Sequence, residues 1–282
     1  MSEAEEETGP RPIVPGVASA LSPLVRRIVA NNPGPMTGPG TNTYLVGIDE
    51  IVVIDPGPDD PEHLDAIAGC GGDRIRWIAC THTHVDHWPG VAGLRERTGA
   101  EVLAFDARDG LEIDRPLADG DPIEATEFVL RTLHTPGHAS NHLCFLLEQE
   151  RMLFSGDHIM NGSTVVIRPP DGDMGAYLEQ LERLKAWRPR LKAIAPGHGH
   201  LIEHPIAKID EYLEHRHERE AQVLDCVRSG TTKVTAIVEQ LYPDLIDELI
   251  PMAEATVWAH LLHLREQKKV KGKSQTGVWR VA

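Results

Sequence analysis

Four times along this chain a short apolar run breaks off at glycine, histidine or aspartate. "IRWIA" runs into "CTHTHVDHWPG", "EFVLRTLH" into "TPGH", "RMLF" into "SGD", and "LKAIA" into "PGHGH". Apolar runs this short, bounded by turn-forming residues, read as buried strands. Their polar ends can meet only if the strands lie in layered sheets that present their ends along one edge. That requirement favours sheets covered by helices, an α/β architecture.

The rest of the chain supplies the covering layers. "NTYLVG" and "EIVVIDPG" read as two further strands joined by a tight connection, and "EVLAF" and "HLCFLLE" as two more. "PEHLDAIAGCGG", "PGVAGLRERTG" and "GAYLEQLERLKAW" have helical spacing, with Pro89 suited to the first turn of the second. After Ile206 the texture changes. "KIDEYLEHRHEREAQVLDCVRSG", "KVTAIVEQLYPDLI" and "EATVWAHLLHLREQKKV" are helical, and "KGKSQTGVWRVA" reads as a β-hairpin. Helices followed by a hairpin predict a small winged-helix-like unit. The expected organisation is an acidic, disordered tail over 1–11, a catalytic domain over 12–205 and a C-terminal helical, winged-helix-like domain over 206–282.

A chain of 282 residues suits one large domain, or one with an appendage, and its net charge of −15 argues against general affinity for polyanions. The first residues lack the basic and apolar regions of a signal peptide, and no apolar run spans a bilayer, so a cytoplasmic protein without membrane partners is expected. Cys70, Cys80, Cys144 and Cys226 show no C-x-x-C spacing and read as free thiols.

The run after "IRWIA" carries the strongest chemical signal. His82 and His84 are two apart, so in an extended segment they face the same side, and Asp86 and His87 follow where the chain turns into a helix. Two imidazoles on one ion, with a carboxylate and a third imidazole on an adjacent ion, is the natural use of this spacing. One loop cannot close two sites. The remaining donors must come from His134, His138 and His142 in "LHTPGHASNH", Asp157 and His158 in "SGDHIM", and His198 and His200 in "PGHGH".

T-H-T-H-V-D-H, T-P-G-H, S-G-D and P-G-H-G match in order the ligand motifs of the metallo-beta-lactamase superfamily, and the chain resembles that family over roughly residues 12–205. The resemblance implies an αββα sandwich and two Zn²⁺ or other divalent ions. His82, His84 and His138 would hold the first ion and Asp86, His87 and His198 the second, with Asp157 bridging. It leaves His134, His158 and His200 off the ligand list. A dinuclear centre of this kind hydrolyses with a metal-bridging hydroxide. Asp86 and His142 are the candidate catalytic side chains: His142 either protonates a leaving group or is a structural histidine. Asp55 either orients an imidazole or starts a turn, and Asn42 faces the site or merely opens a strand.

Asp157 and the missing signal peptide argue against antibiotic hydrolysis, "GDHIMNGST" lacks the tyrosine of lactonases, and His84 is a glutamate in flavodiiron proteins. "NNPGPMTGPGTNTYLVG", "HRHEREAQVL" and "VWAHLLHL" are similar to the beta-lactamase-like protein 2 group. That resemblance implies single-stranded RNA phosphodiesters or acyl thioesters as substrates, and the two stand even. His158 and Trp88 depart from the group's pattern and are expected to alter the pocket wall. Alternatives are a hydroxyacylglutathione-hydrolase-type thioesterase, a mononuclear iron persulfide dioxygenase, and a non-catalytic nucleic-acid binder. For RNA, Arg265, Lys268, Lys269, Lys271, Lys273 and Arg280 form a basic strip beside Trp279, which otherwise reads as an ordinary solvated helix end. Lys185, Arg188, Arg190 and Lys192 form a weaker cluster.

Overall fold

The computed structural model describes residues 12–162 and 164–282, so the expected acidic tail lies outside the described residues. The first sheet takes its strands in chain order: β1 (Ser19–Ala20), β2 (Val25–Val29), β3 (Asn42–Val46), β4 (Ile51–Ile54), β5 (Ile75–Ala79), β6 (Glu101–Ala104) and β7 (Arg115–Pro116). Helix α1 (Pro61–Gly71) connects β4 to its parallel neighbour β5, and α2 (Val91–Thr98) connects β5 to β6. Asp60 caps α1 by accepting from the Glu62 amide, with Pro61 in the first turn.

The second sheet contains β8 (Pro122–Glu124), β9 (Val129–His134), β10 (Leu143–Leu147), β11 (Met152–Gly156) and β12 (Ala193–Pro196), in reverse chain order across the sheet. Its one helical crossover, α3 (Met174–Ala186), links β11 to parallel β12 and is capped by Asp173.

Period-two alternation decides which side of each sheet faces which layer. Tyr44, Val46, Val52 and Ile54 of the first sheet meet Leu143, Phe145, Leu147 and Phe154 of the second in one core between the sheets. The alternate residues Leu45, Ile51, Val53 and Ile78 pack outward with Leu64, Ile67 and Leu94 of α1 and α2. Cys144, Leu146, Leu153 and Ile194 pack outward against α3. The layers are α, β, β, α, and each fully buried Leu, Ile, Val or Phe contributes about 1.5–3 kcal/mol.

Beyond β12 come α4 (Pro205–Arg228), α5 (Val234–Leu241), α6 (Ile250–Glu266) and the short hairpin β13 (Val270–Lys271) with β14 (Arg280–Val281). The change of sequence texture at Ile206 falls one residue into α4. The helix nonetheless serves two cores: Ile209, Tyr212 and Leu213 pack with α3, while Val223, Leu224 and Val227 pack with α5, α6 and Trp279.

Three local expectations change. Helix α5 stops at Leu241 instead of running through "YPDLI", because Pro243 disfavours helical backbone at the residue before it. Pro89 lies outside α2, which starts at Val91 behind Gly90. Trp279 is 0 % exposed, its indole Nε1 donating to Ser274 O, so no base can stack on it. All four cysteines are free, and among the described residues no helix is long and apolar enough to cross a membrane.

Candidate metal centre

The polar ends of β5, β9, β11 and β12 come together at one end of the sandwich. A backbone bridge between Thr41 and His198, and the Asn42 amide donating to Gly197 O at 2.8 Å, tie the two sheets there. Asn42 also donates its side-chain amide to Pro196 O at 2.8 Å and Gly199 O at 3.0 Å. It shapes the loop that carries His198.

The seven expected donors gather into three overlapping clusters: His82 with His84 and His138, His82 with His87 and Asp157, and Asp86 with His87 and His198. His84 Nδ1 lies 3.0 Å from His82 Nε2 and 2.9 Å from His138 Nε2. On the other side, Asp86 Oδ2 lies 3.4 Å from His87 Nε2 and 3.2 Å from His198 Nε2. Asp157 stands between, with Oδ1 3.4 Å from both His87 and His198 and Oδ2 3.7 Å from His138. One carboxylate thus offers an oxygen to each group.

Hydrogen bonds set which ring nitrogen faces inward. His87 Nδ1 donates to Asp55 Oδ2 at 2.9 Å, His138 Nδ1 to Val166 O at 2.7 Å, and His198 Nδ1 to Gly40 O at 3.2 Å. His82 Nδ1 meets Thr81 Oγ1 at 3.0 Å, and that hydroxyl in turn donates to Asp55 Oδ2 at 2.7 Å. With Nδ1 carrying the hydrogen, the Nε2 lone pair of each ring is free for a cation. His84 is the exception and turns Nδ1 inward. Asp55, which also accepts from the Thr81 amide at 2.7 Å, is an orienting group and not only a turn former.

The electrostatics match a cation site. Burial, then the His87 charge, holds His82 well below the ordinary imidazole value. Burial acts the same way on His138 and brings His84 to about 4. Burial also opposes charge on His87 and His198, but the carboxylates outweigh it: Asp86 and Asp157 raise His87, and Asp157 lifts His198 to about 9. The carboxylates thus favour positive charge at those two rings, which a bound cation would supply. His87 Nε2 and Asp157 Oδ1 are buried without a hydrogen-bond partner, although buried polar atoms ordinarily have one. Nitrogen and carboxylate donors at this density fit two divalent metal ions.

Tight backbone makes this density attainable. Gly156 adopts φ +46°, and a Cβ there would come within 2.7 Å of Thr81 Oγ1 and 2.8 Å of His142 Nε2. His142 itself is 0 % exposed. Its Nδ1 pairs with Thr135 Oγ1 at 2.9 Å and its Nε2 accepts from the Asp157 amide at 3.2 Å. Both ring nitrogens are engaged away from solvent, and the Nε2 contact holds the Asp157 backbone.

The remaining histidines lie apart. His134 stacks on Phe105 and bonds Ser140 O, and His200 belongs to none of the clusters. His158 is 0 % exposed, and burial lowers it to about 3, beside Tyr177 and His142. Instead of forming a pocket wall, it packs behind the centre. Trp88 lines a separate cavity on α2 with Arg95 and Leu111.

Sequence reasoning missed Thr81, Gly40 and Val166. Thr81 had a signal, since it heads the histidine run; the other two act through backbone carbonyls, which leave none.

A groove of about 200 Å³ is lined among others by Met36, Met160, Val165, Val166, Arg216 and Met252. Val166 joins it to the centre, its carbonyl accepting from His138 Nδ1 at 2.7 Å.

Residues 36–198 match the model of the metallo-beta-lactamase superfamily, and 234–279 match the beta-lactamase associated winged helix domain. The chain is 32 % identical to the beta-lactamase-like protein 2 homolog of Caenorhabditis elegans, covering 79 % of this chain and 78 % of that protein. It is also 32 % identical to an atrochrysone carboxyl ACP thioesterase of Aspergillus chevalieri, covering 98 % and 92 %. Among solved structures, a metallo-beta-lactamase family protein from Thermus thermophilus superposes with a TM-score of 0.76 at 22 % identity, covering 93 % and 100 %.

Proposed function

The chain belongs to the metallo-beta-lactamase superfamily and is a metal-dependent hydrolase, and from that premise we propose that it cleaves acyl thioesters at a pair of zinc ions. His82, His84 and His138 would hold one ion and Asp86, His87 and His198 the other, with Asp157 standing between the two groups. When bound, two such ions would supply Lewis-acid polarisation of the scissile carbonyl and activation of a water.

The chain's own residues do the rest. Asp55, Thr81, Gly40 O and Val166 O keep four imidazoles in the metal-accepting tautomer. His142 holds the Asp157 backbone. Asp86 has a side chain 24 % exposed, against 12 % for Asp157. It is therefore the more open of the two carboxylates to an incoming substrate.

The apolar groove that shares Val166 with the centre is the observation that carries the choice of substrate. Met36, Met160, Val165, Leu245, Leu249 and Met252 suit an acyl chain. A polynucleotide needs a basic track and stacking faces. Here the basic residues on the groove are Arg216 and His215, and Trp279 is inside the C-terminal core. The thioesterase name of the fungal relative supports the same choice.

The test is thiol release from acyl-pantetheine thioesters of increasing chain length by zinc-loaded protein, run beside a single-stranded RNA oligonucleotide. kcat/KM rising with acyl length, and RNA left intact, is the expected result. RNA cleavage without thiol release would overturn the proposal.

A further inference from the structure

His138 is oriented by a carbonyl in a segment with no regular structure. Val166 sits between β11 and α3, where the described residues from Met160 to Asp173 form neither helix nor strand. A loop carbonyl can fix an imidazole only if the loop is itself fixed, and no sheet ladder does that here.

Two C-terminal helices do it instead. The Arg216 guanidinium on α4 donates through Nη2 to Val165 O. Thr256 on α6 accepts the Ile167 amide through Oγ1 at 3.4 Å. The residues on either side of Val166 are thus tied to different helices. Val165 is 1 % and Ile167 0 % exposed, so the tie is shielded from water.

Arg216 is an unusual choice for packing alone. It is 2 % exposed and lies over the Tyr177 ring at 5.4 Å, and among the described residues no carboxylate oxygen comes within 4 Å of it. Glu220, one turn along, pairs with His263 instead. A buried guanidinium is costly without compensation, and a methionine would fill similar space. What the guanidinium adds is a donor aimed at the backbone next to Val166.

We infer that Arg216 and Thr256 are positioning residues through which the C-terminal helices orient His138 for its ion. The inference rests on the two-ion reading given above. Hydrogen bonds to a ligand's far nitrogen govern its basicity and orientation, and their loss lowers metal affinity about 10- to 100-fold. Only one ion of the pair depends on His138, so the effect is one-sided.

The experiment titrates cobalt(II) into metal-free full-length protein against a competing chelator, reading two stepwise constants and the visible spectrum. Wild type is compared with Arg216→Met, Thr256→Val and Thr256→Ser. Thr256→Val is close to isosteric and guards against misfolding at Arg216. Arg216→Met is expected to weaken one ion about 10-fold or more and alter its cobalt spectrum, leaving the other constant unchanged. Thr256→Val does the same to a smaller extent, because its contact is longer, and Thr256→Ser keeps wild-type behaviour.

Wild-type constants and spectra in Arg216→Met and Thr256→Val would overturn the inference. So would parallel weakening of both ions, which reports a loosened core. A wild type that binds one ion or none overturns the two-ion reading itself, and this inference with it.

Discussion

A methyl group at Gly197 would land 2.5 Å from Asp157 Oδ1 and 2.9 Å from His87 Cε1. The objection to a side chain is steric and local to the centre. Gly197→Ala is therefore expected to keep the fold, as judged by circular dichroism, while lowering stability by about 1–3 kcal/mol and weakening metal binding in a chelator competition. His142→Leu tests another kind of support. It strips the Asp157 amide of its acceptor at a cost of about 1–3 kcal/mol, and should lower kcat while leaving the shape of the pH–rate profile unchanged. Loss of the alkaline limb would instead identify His142 as the proton donor. At this scale the donors were legible because imidazoles and carboxylates at fixed spacing have few other uses. Their orienting partners were not, because Val166 and Gly40 act through carbonyls that any residue would bring.

Strands whose alternate residues are both apolar, such as β10 with Leu143, Phe145 and Leu147 inward and Cys144 and Leu146 outward, were read directly from their runs. Strand β2 was passed over because "VRRIV" interrupts its apolar pattern with two arginines. Arg27 is nonetheless 7 % exposed, its charge met by Gly199 O at 3.0 Å across the sandwich, a partner 172 residues away. β1, β7 and β8 are too short to show a period. Phe145→Ala removes a ring from the layer shared by both sheets, with Tyr44 and Phe154 beside it in that core at a ring separation of 5.1 Å. A loss of about 3–5 kcal/mol in denaturant titration is expected.

Across the whole molecule, the C-terminal helices meet through a charged pair. Glu220 on α4 and His263 on α6 are 2.6 Å apart. Although burial opposes its charge, bonds to His260 and His263 hold Glu220 well below the carboxylate range; its bond to Glu220 raises His263. Glu220 therefore stabilises above its unfolded value of 4.5, and that contribution is lost as pH falls towards its folded value. His263 stabilises below its unfolded value of 6.5, and that contribution is lost as pH rises through its raised value. The difference in Tm between wild type and Glu220→Gln should peak between those two pH values and shrink on either side.

Helix α4 belongs to two cores without a break, and this removes modularity. A fragment ending at residue 205 would present to water the surface that Ile209, Tyr212 and Leu213 cover, and the C-terminal piece alone would carry the same three side chains bare. Neither half can be grafted onto another protein, or exchanged between relatives, without taking its share of the helix. Heating should accordingly melt the protein in a single calorimetric event whose van't Hoff and calorimetric enthalpies agree, as though the chain had one indivisible body.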